Sequence, residues 1–341
     1  MLTHSNIVSN TVQISLWLES GNTKTTRNKF LAVIPFFHVF SMTAVMNMGF
    51  YNKAEIILLP RFNLKQVLQV IDKKKPTVFA AVPSIFNAIN HYKDLKKYDL
   101  TSLAINISGG APLPLQVKEN FEKHGTGVLV EGYGLSEASP VLTCNPPHNA
   151  GKSGSIGLPL PGTEVGIRSL KDISVTEATG SQGELVARGP QIMQGYWNRD
   201  QDTQETLLEG GWLRTGDIGY MDEDGYVFIT DRLKDIIISN GYNIYPRVIE
   251  EALYSHNDVS EVIVIGVPDE AKGETPKAFV ALKQNATVDA ETLLDFARAK
   301  PNPIERPASI EIRKELPKTL IGKLSKKELV KEEAEKRKQL S

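Results

Sequence analysis

The sequence predicts an α/β fold: a layered, mainly parallel sheet with helices, a small antiparallel β unit, and a separate C-terminal α+β domain. Three observations carry this. Residues 1–150 alternate helix-like and strand-like segments, the order that builds a parallel sheet with helices on its faces. From about Gly151 to Thr230 the helical signal fades into short strands separated by Gly, Pro and Asp turns. After Asp231-Arg232 strands and helices return in a different rhythm, and 341 residues are too many for one ordinary core.

In chain order, the first layer reads as a helix near Ser5 to Glu19, a strand at Lys29 to Ile34, a helix after His38 and a strand at Glu55 to Leu59. A helix at Leu64 to Lys73, a strand at Thr77 to Ala81, a helix from Ser84, a strand at Leu103 to Ile107, a helix from Pro114 and a strand at Val128 follow. Gly183 to Gly189 and Asp222 to Ile229 give the antiparallel unit its strands. The last domain has helices near Pro246 to Tyr254 and Glu291 to Arg298, and strands at Val259 to Val267 and Ala278 to Lys283. Its charged end, Ser325 to Gln339, reads as a solvated helix face. The expected boundaries are residues 1–150, 151–230, a junction at 231–235, and 236–341.

Composition excludes several classes. A formal net charge of −1 gives no global pull toward nucleic acid or an anionic membrane. One cysteine, Cys144, rules out an internal disulfide and fits a reducing, cytoplasmic setting. The N-terminus lacks the basic start and apolar block of a secretory signal. Phe30 to Phe50 is nearly uncharged, but Pro35, His38, Asn47 and Gly49 interrupt it, so it reads as a buried strand and helix instead of a membrane span. The six histidines show no metal-ligand clustering. Gly151-Lys152-Ser153 fails as a Walker loop because Pro146 stands where a glycine is needed.

The run from Val128 to Glu137 carries the most chemistry. An apolar strand enters a glycine-bracketed tyrosine, then a hydroxyl and a carboxylate. Gly132 and Gly134 permit close backbone approach, Tyr133 offers a flat face, Ser136 can donate to an anion, and Glu137 can hold a hard cation such as Mg2+. Ser-Gly-Gly-Ala-Pro-Leu at 108 to 113 follows a strand and precedes a helix, where backbone can lie flat against a planar ligand. Asp217, at the end of Trp212-Leu-Arg-Thr-Gly-Asp, suits paired sugar hydroxyls. Lys323 follows a glycine turn, where its ammonium suits an anionic centre. Taken singly, each of these is more often a turn or a surface ion pair.

Taken in order, they resemble the adenylate-forming superfamily of acyl-CoA synthetases, nonribosomal-peptide adenylation domains and luciferases, and within it the bacterial long-chain fatty acyl-CoA synthetases. Pro35-Phe-Phe-His-Val-Phe40, the 108 to 113 run, Glu-Gly-Tyr-Gly-Leu-Ser-Glu at 131 to 137 and Gly154-Ser-Ile-Gly-Leu-Pro159 carry the resemblance. So do Gly189-Pro-Gln-Ile-Met-Gln-Gly-Tyr-Trp197, the run to Asp217, Asp231-Arg-Leu-Lys-Asp235 and the segment around Lys323. The likeness covers nearly the whole chain.

The resemblance implies ATP-dependent activation of a fatty acid through an acyl-adenylate, followed by transfer to CoA, with ATP and CoA as substrates and Mg2+ as companion ion. It places Glu137 on Mg2+, Ser136 on phosphate, Tyr133 with Gly110, Ala111 and Gly132 around adenine, and Asp217 and Arg232 on ribose. Lys323 would bridge the carboxylate and phosphate, Lys234 would be the hinge, Gly241 would move to the CoA side, and His38 would stand near the acyl end. The implied partners are these substrates without nucleic acid, peripheral membrane contact through the lipid substrate, and a homodimer or a separate N-terminal segment.

Three departures from the family pattern stand out. Ser136 replaces the commoner threonine and keeps the hydroxyl. The stretch between Arg298 and Pro307 lacks the usual basic Tyr-Lys-x-Pro-like segment. In the family, the Met1 to Asn6 run follows a Ser/Thr/Gly-rich phosphate loop, so the resemblance implies that the loop and an upstream subdomain are missing and that adenylation by this chain alone is impaired. The alternatives are an inactive remnant or nucleotide- and acyl-binding module, and an enzyme for aryl acids or a carrier-protein acceptor.

Overall fold

The computed structural model describes residues 1–19, 28–148, 151–299, 306–320 and 322–340. They fall into two compact units, Met1–Ile229 and Thr230–Ser341. The family departure between Arg298 and Pro307 lies mostly outside the described residues.

The first unit is built on a seven-stranded sheet of β1 (Lys29–Ala32), β2 (Glu55–Leu58), β3 (Val78–Ala81), β4 (Ile105–Ser108), β5 (Val128–Gly134), β6 (Val141–Cys144) and β7 (Leu158–Pro159). Their order is β2-β1-β3-β4-β5-β6-β7. The first five are parallel to one another, as the helix–strand alternation requires, and β6 and β7 add antiparallel strands at one edge. Every residue of β3 is buried, the signature of a strand covered on both faces. Phe79, Phe86 and Phe121 meet edge to face at centroid distances of 5.4 and 4.8 Å, tying two helices to that strand.

Local signals explain the helix limits. Asn63 caps Leu64–Lys74 by accepting from the Gln66 amide, Val67, Leu68 and Ile71 form its buried stripe, and Lys75 ends it in a left-handed conformation. Proline opens Pro83–Asn90. The helix after His38 contains a wider π-helical turn over Met42–Asn47, between short α-helical pieces at Val39–Ser41 and Met48–Tyr51. The helix His4–Glu19 buries polar residues beside apolar ones: Asn6, Asn10, Thr11, Gln13 and Ser15 are buried with Ile14 and Leu18, while Val8 and Leu16 are exposed. Its buried amides are satisfied by distant backbone, Asn10 by both polar groups of Val141 and Gln13 by the Pro161 carbonyl.

The antiparallel sheet contains β8 (Glu164–Arg168), β9 (Gly183–Arg188), β10 (Leu207–Leu208), β11 (Trp212–Met221) and β12 (Val227–Arg232). Its order is β10-β11-β9-β8, with β12 also on β11. One seven-residue helix, Asp200–Thr206, interrupts this otherwise strand-like region. None of its residues is buried, so it has no apolar periodicity by which a sequence would announce it.

The second unit has β13 (Ile237–Ser239), β14 (Tyr242–Ile244), β15 (Val259–Asp269), β16 (Gly273–Leu282) and β17 (Ser309–Arg313). Alternation along β15 sends Val262 and Val264 to one core, with Ile249, Leu253 and Leu293, and Ile263 and Ile265 to another, with Phe279, Leu316 and Leu329. The charged C-terminal helix, Lys326–Leu340, buries Leu329 fully.

Candidate functional site

In the first unit the site residues gather at the carboxyl ends of parallel strands, where an open α/β sheet exposes its loops. Ser108 pairs in register with Glu131, so the loop after β4 and the glycine turn of β5 start side by side. Glu131 is buried and accepts the Leu113 amide at 3.0 Å, fastening the 109–113 loop to β5. Gly110 takes φ +79° and is exposed, with Ala111 half-buried beside it. The Phe40 ring lies behind Gly109, and the half-buried His38 caps the next helix by accepting the Phe40 amide at 3.3 Å.

Gly132 and half-buried Tyr133 continue the strand. Gly134 is required sterically, since a Cβ there would lie 1.8 Å from the Pro140 carbonyl oxygen. A 3-10 turn over Ser136–Ala138 then exposes Ser136 and leaves Glu137 half-buried.

Asp217 reaches this place through a bulge. Arg214 pairs with Val186 and Ile218 with Glu184, so Thr215, Gly216 and Asp217 stand against Leu185 alone. Gly216, at φ +71°, allows the bend. The bulge is braced: Thr215 donates to the Leu185 carbonyl at 2.8 Å and accepts the Asp217 amide at 3.1 Å. Buried Glu184 holds Arg214 through bonds of 3.1 and 2.6 Å and accepts the Gly216 amide at 3.3 Å. Asp217 is thereby delivered to the Tyr133 hydroxyl, which donates to its carboxylate at 2.5 Å.

A second tyrosine, which sequence reasoning leaves inside a motif without a role, engages Glu137. The Tyr196 hydroxyl donates to a Glu137 carboxylate oxygen at 2.7 Å. Burial, reinforced by that carboxylate, pushes the phenol up to about 12, so it stays protonated and a donor. The Met193 amide also donates to the Glu137 carbonyl at 2.8 Å. Among the described residues no cluster of three His, Cys, Asp or Glu could cage a metal. One carboxylate nevertheless suits magnesium, which takes one or two protein carboxylates and completes its shell with phosphate and water.

The remaining site residues belong to the second unit. Buried Asp231 accepts the amides of Arg232 at 2.8 Å and Arg247 at 2.9 Å, the latter in the first turn of helix Pro246–Tyr254. Burial raises its carboxyl above the ordinary range. Lys234 is exposed in the 3-10 turn Leu233–Asp235. Asn240 and Gly241 take φ +51° and +77°, forming the two-residue turn between β13 and β14. Lys323 follows a tight turn in which the Gly322 amide donates to the Thr319 carbonyl at 2.9 Å. Lys326 lies 3.1 Å from Glu250; burial works to lower its pKa, but Glu250, Asp231 and Asp235 outweigh that and leave it raised.

The chain belongs to the AMP-binding enzyme family, whose model matches residues 1–197; the model of the C-terminal domain of AMP-binding enzymes matches residues 248–323. It is 49% identical to a long-chain-fatty-acid–CoA ligase of Bacillus subtilis over 98% of this chain and 59% of that protein. It is 37% identical to the ligase of the same name from Salmonella typhimurium over 96% of this chain and 58% of that one. The chain thus spans about three fifths of the length of these relatives. The solved structure of ATP-bound MatB from Rhodopseudomonas palustris superposes with a TM-score of 0.89 at 27% identity, over 97% of this chain and 64% of that one. No described helix is long and apolar enough to cross a membrane.

Proposed function

We propose that this chain provides the adenylate-handling part of a long-chain fatty acyl-CoA ligase. The observation that carries the proposal is the Tyr133–Asp217 bond, which joins an aromatic face at a glycine-lined turn to a carboxylate on another sheet. Flat ring and diol acceptor held together suit an adenosine.

In the proposed reaction a fatty carboxylate oxygen attacks the α-phosphorus of ATP, the bond to the bridging oxygen breaks, and pyrophosphate leaves. The sulfur of CoA then attacks the acyl carbonyl and AMP departs with the C–O electron pair. The first step brings two anions together, so it needs oriented donors and cations. Tyr133, Gly110, Ala111 and Gly132 are proposed to enclose adenine, with Asp217 and Arg232 on the ribose. Ser136 would donate to phosphate, and Glu137 would hold Mg2+, which screens phosphate charge when bound. Lys323 is the proposed cation for the developing adenylate, Lys234 the hinge, Gly241 a contact toward CoA, and His38 a residue near the acyl end. A cytoplasmic location and contact with a membrane surface through the lipid substrate belong to the same proposal, as do self-association and union with a separate N-terminal segment.

The fatty acid is chosen because both ligases compared above are named for long-chain substrates. Carboxylate-dependent ATP–pyrophosphate exchange tests it, with palmitate and benzoate compared. Weak exchange, driven by palmitate, is expected. Preference for benzoate would overturn the substrate, and no exchange with either would overturn catalysis by this chain.

A further inference from the structure

No group of three or more His, Cys, Asp or Glu side chains among the described residues could hold a divalent ion, and Glu137 is the one carboxylate proposed for it. With a single protein ligand, the orientation of that ligand decides much of the affinity, because a free glutamate must lose rotamer entropy on binding. The Tyr196 hydroxyl donates to the Glu137 carboxylate at 2.7 Å. We propose that Tyr196 is the positioning residue for Glu137, holding one carboxylate oxygen so that the group is presented ready for a divalent cation. This rests on the reading of Glu137 given under the proposed function.

Tyr196 is itself built into place. Its amide donates to the Thr203 hydroxyl at 2.9 Å, and that hydroxyl donates to the Arg199 carbonyl at 2.8 Å. The preceding Gly195, at φ +134°, passes so close that a Cβ would meet the Thr203 methyl at 2.6 Å. Thr203, with its hydroxyl committed twice, cannot turn away to make room.

The other end of the segment is tied to the Glu137 turn. The Met193 amide meets the Glu137 carbonyl at 2.8 Å, and the Ser139 hydroxyl donates to the Gln191 carbonyl at 2.9 Å. The side chains of Ala138, Ile192 and Met193 pack in one core, with Tyr196 against it. Two stretches far apart in sequence are therefore joined by backbone bonds, by packing and by the phenol-to-carboxylate bond. Groups that orient a metal ligand in this way commonly change metal affinity on the order of ten-fold or more when removed.

The test is calorimetric affinity for β,γ-methylene-ATP, measured in Mg2+ and again in EDTA, on the full chain and its variants. Tyr196→Phe should weaken binding in Mg2+ on the order of ten-fold and leave binding in EDTA unchanged. Thr203→Ser should behave as the parent, while Thr203→Val should follow Tyr196→Phe. Glu137→Gln should lose the Mg2+-dependent gain altogether.

If Glu137→Gln loses that gain but Tyr196→Phe keeps it, the positioning role is overturned and the metal reading stands. Equal weakening of Tyr196→Phe in Mg2+ and EDTA means a merely structural role and overturns the proposal. If the parent shows no Mg2+-dependent gain, or Glu137→Gln retains it, the reading of Glu137 falls and this inference with it.

Discussion

The hydroxyl of Tyr133 donates to the carboxylate of Asp217 across 2.5 Å, joining the glycine turn of β5 to the bulge in β11. Asp217 is buried, so this donor is one it cannot replace freely with water. Tyr133→Phe keeps the ring and removes the donor. It should cost about 1–3 kcal/mol of stability, read as an earlier urea midpoint with an unchanged m-value. An unaltered midpoint would show that the bond contributes nothing.

Arg214 and Glu184 hold the bulge from behind, and the Glu184 side chain is only 3% exposed. Arg214→Ala leaves that carboxylate buried without its cation, a loss of about 3 kcal/mol. Arg214→Met combined with Glu184→Leu should recover much of it, since the isolated buried charge is gone. Thermal melts of the three proteins check this; a single variant as stable as the parent would contradict the argument.

How much of this was legible in the sequence follows from the range of each interaction. The helix Pro246–Tyr254 is marked by its leading proline and apolar spacing, and the parallel layer by strands such as Val78–Ala81 between amphipathic helices. Those are local signals. The hairpin at Asn240-Gly241 has a local signal too, an Asn-Gly pair between short β-prone runs, but the strands expected from the sequence do not include it. The helix Asp200–Thr206 is silent because it buries nothing.

The site was readable as residue types in order, not as geometry. Tyr133 and Asp217 are 84 residues apart, and nothing in Trp-Leu-Arg-Thr-Gly-Asp says that three residues will oppose one on β9 and turn the aspartate toward a tyrosine. Tyr196 was hidden for the same reason: its partner Glu137 lies 59 residues away. The helix His4–Glu19 was legible as an element, but the burial of its amides was not, since their partners are backbone groups far along the chain.

In the second unit, acid should act through Glu311. Burial works to raise its pKa, but hydrogen bonds from Lys277 and Arg313 outweigh it and hold the carboxyl down to about 2. A folded pKa below the unfolded one gives stability that is present above the ordinary glutamate range and lost as pH falls toward about 2. Glu311→Gln should flatten that acid limb. Melting temperature against pH, compared between parent and variant, checks it; parallel curves would contradict it.

Cys144 has no exposed surface, and burial, followed by the charge of Glu131, pushes its thiol up to about 12. Because the thiolate is the reactive form, the native protein should label slowly with a disulfide reagent at pH about 8, and fast once urea opens the first unit. As the chain's single cysteine, its labelling reports that opening without interference. Immediate labelling of the native protein would place the thiol elsewhere.

The central claim is that the Tyr133–Asp217 pair forms the adenosine end of the site, and a stable acyl-adenylate analogue addresses it most directly. Calorimetric titration with a palmitoyl-sulfamoyl adenosine should show binding to the chain. Asp217→Ala should weaken that binding on the order of ten-fold or more, through loss of charge-assisted hydrogen bonds to the ribose. Binding of equal strength to the parent and to a folded Asp217→Ala variant, or none to the parent, would contradict the account.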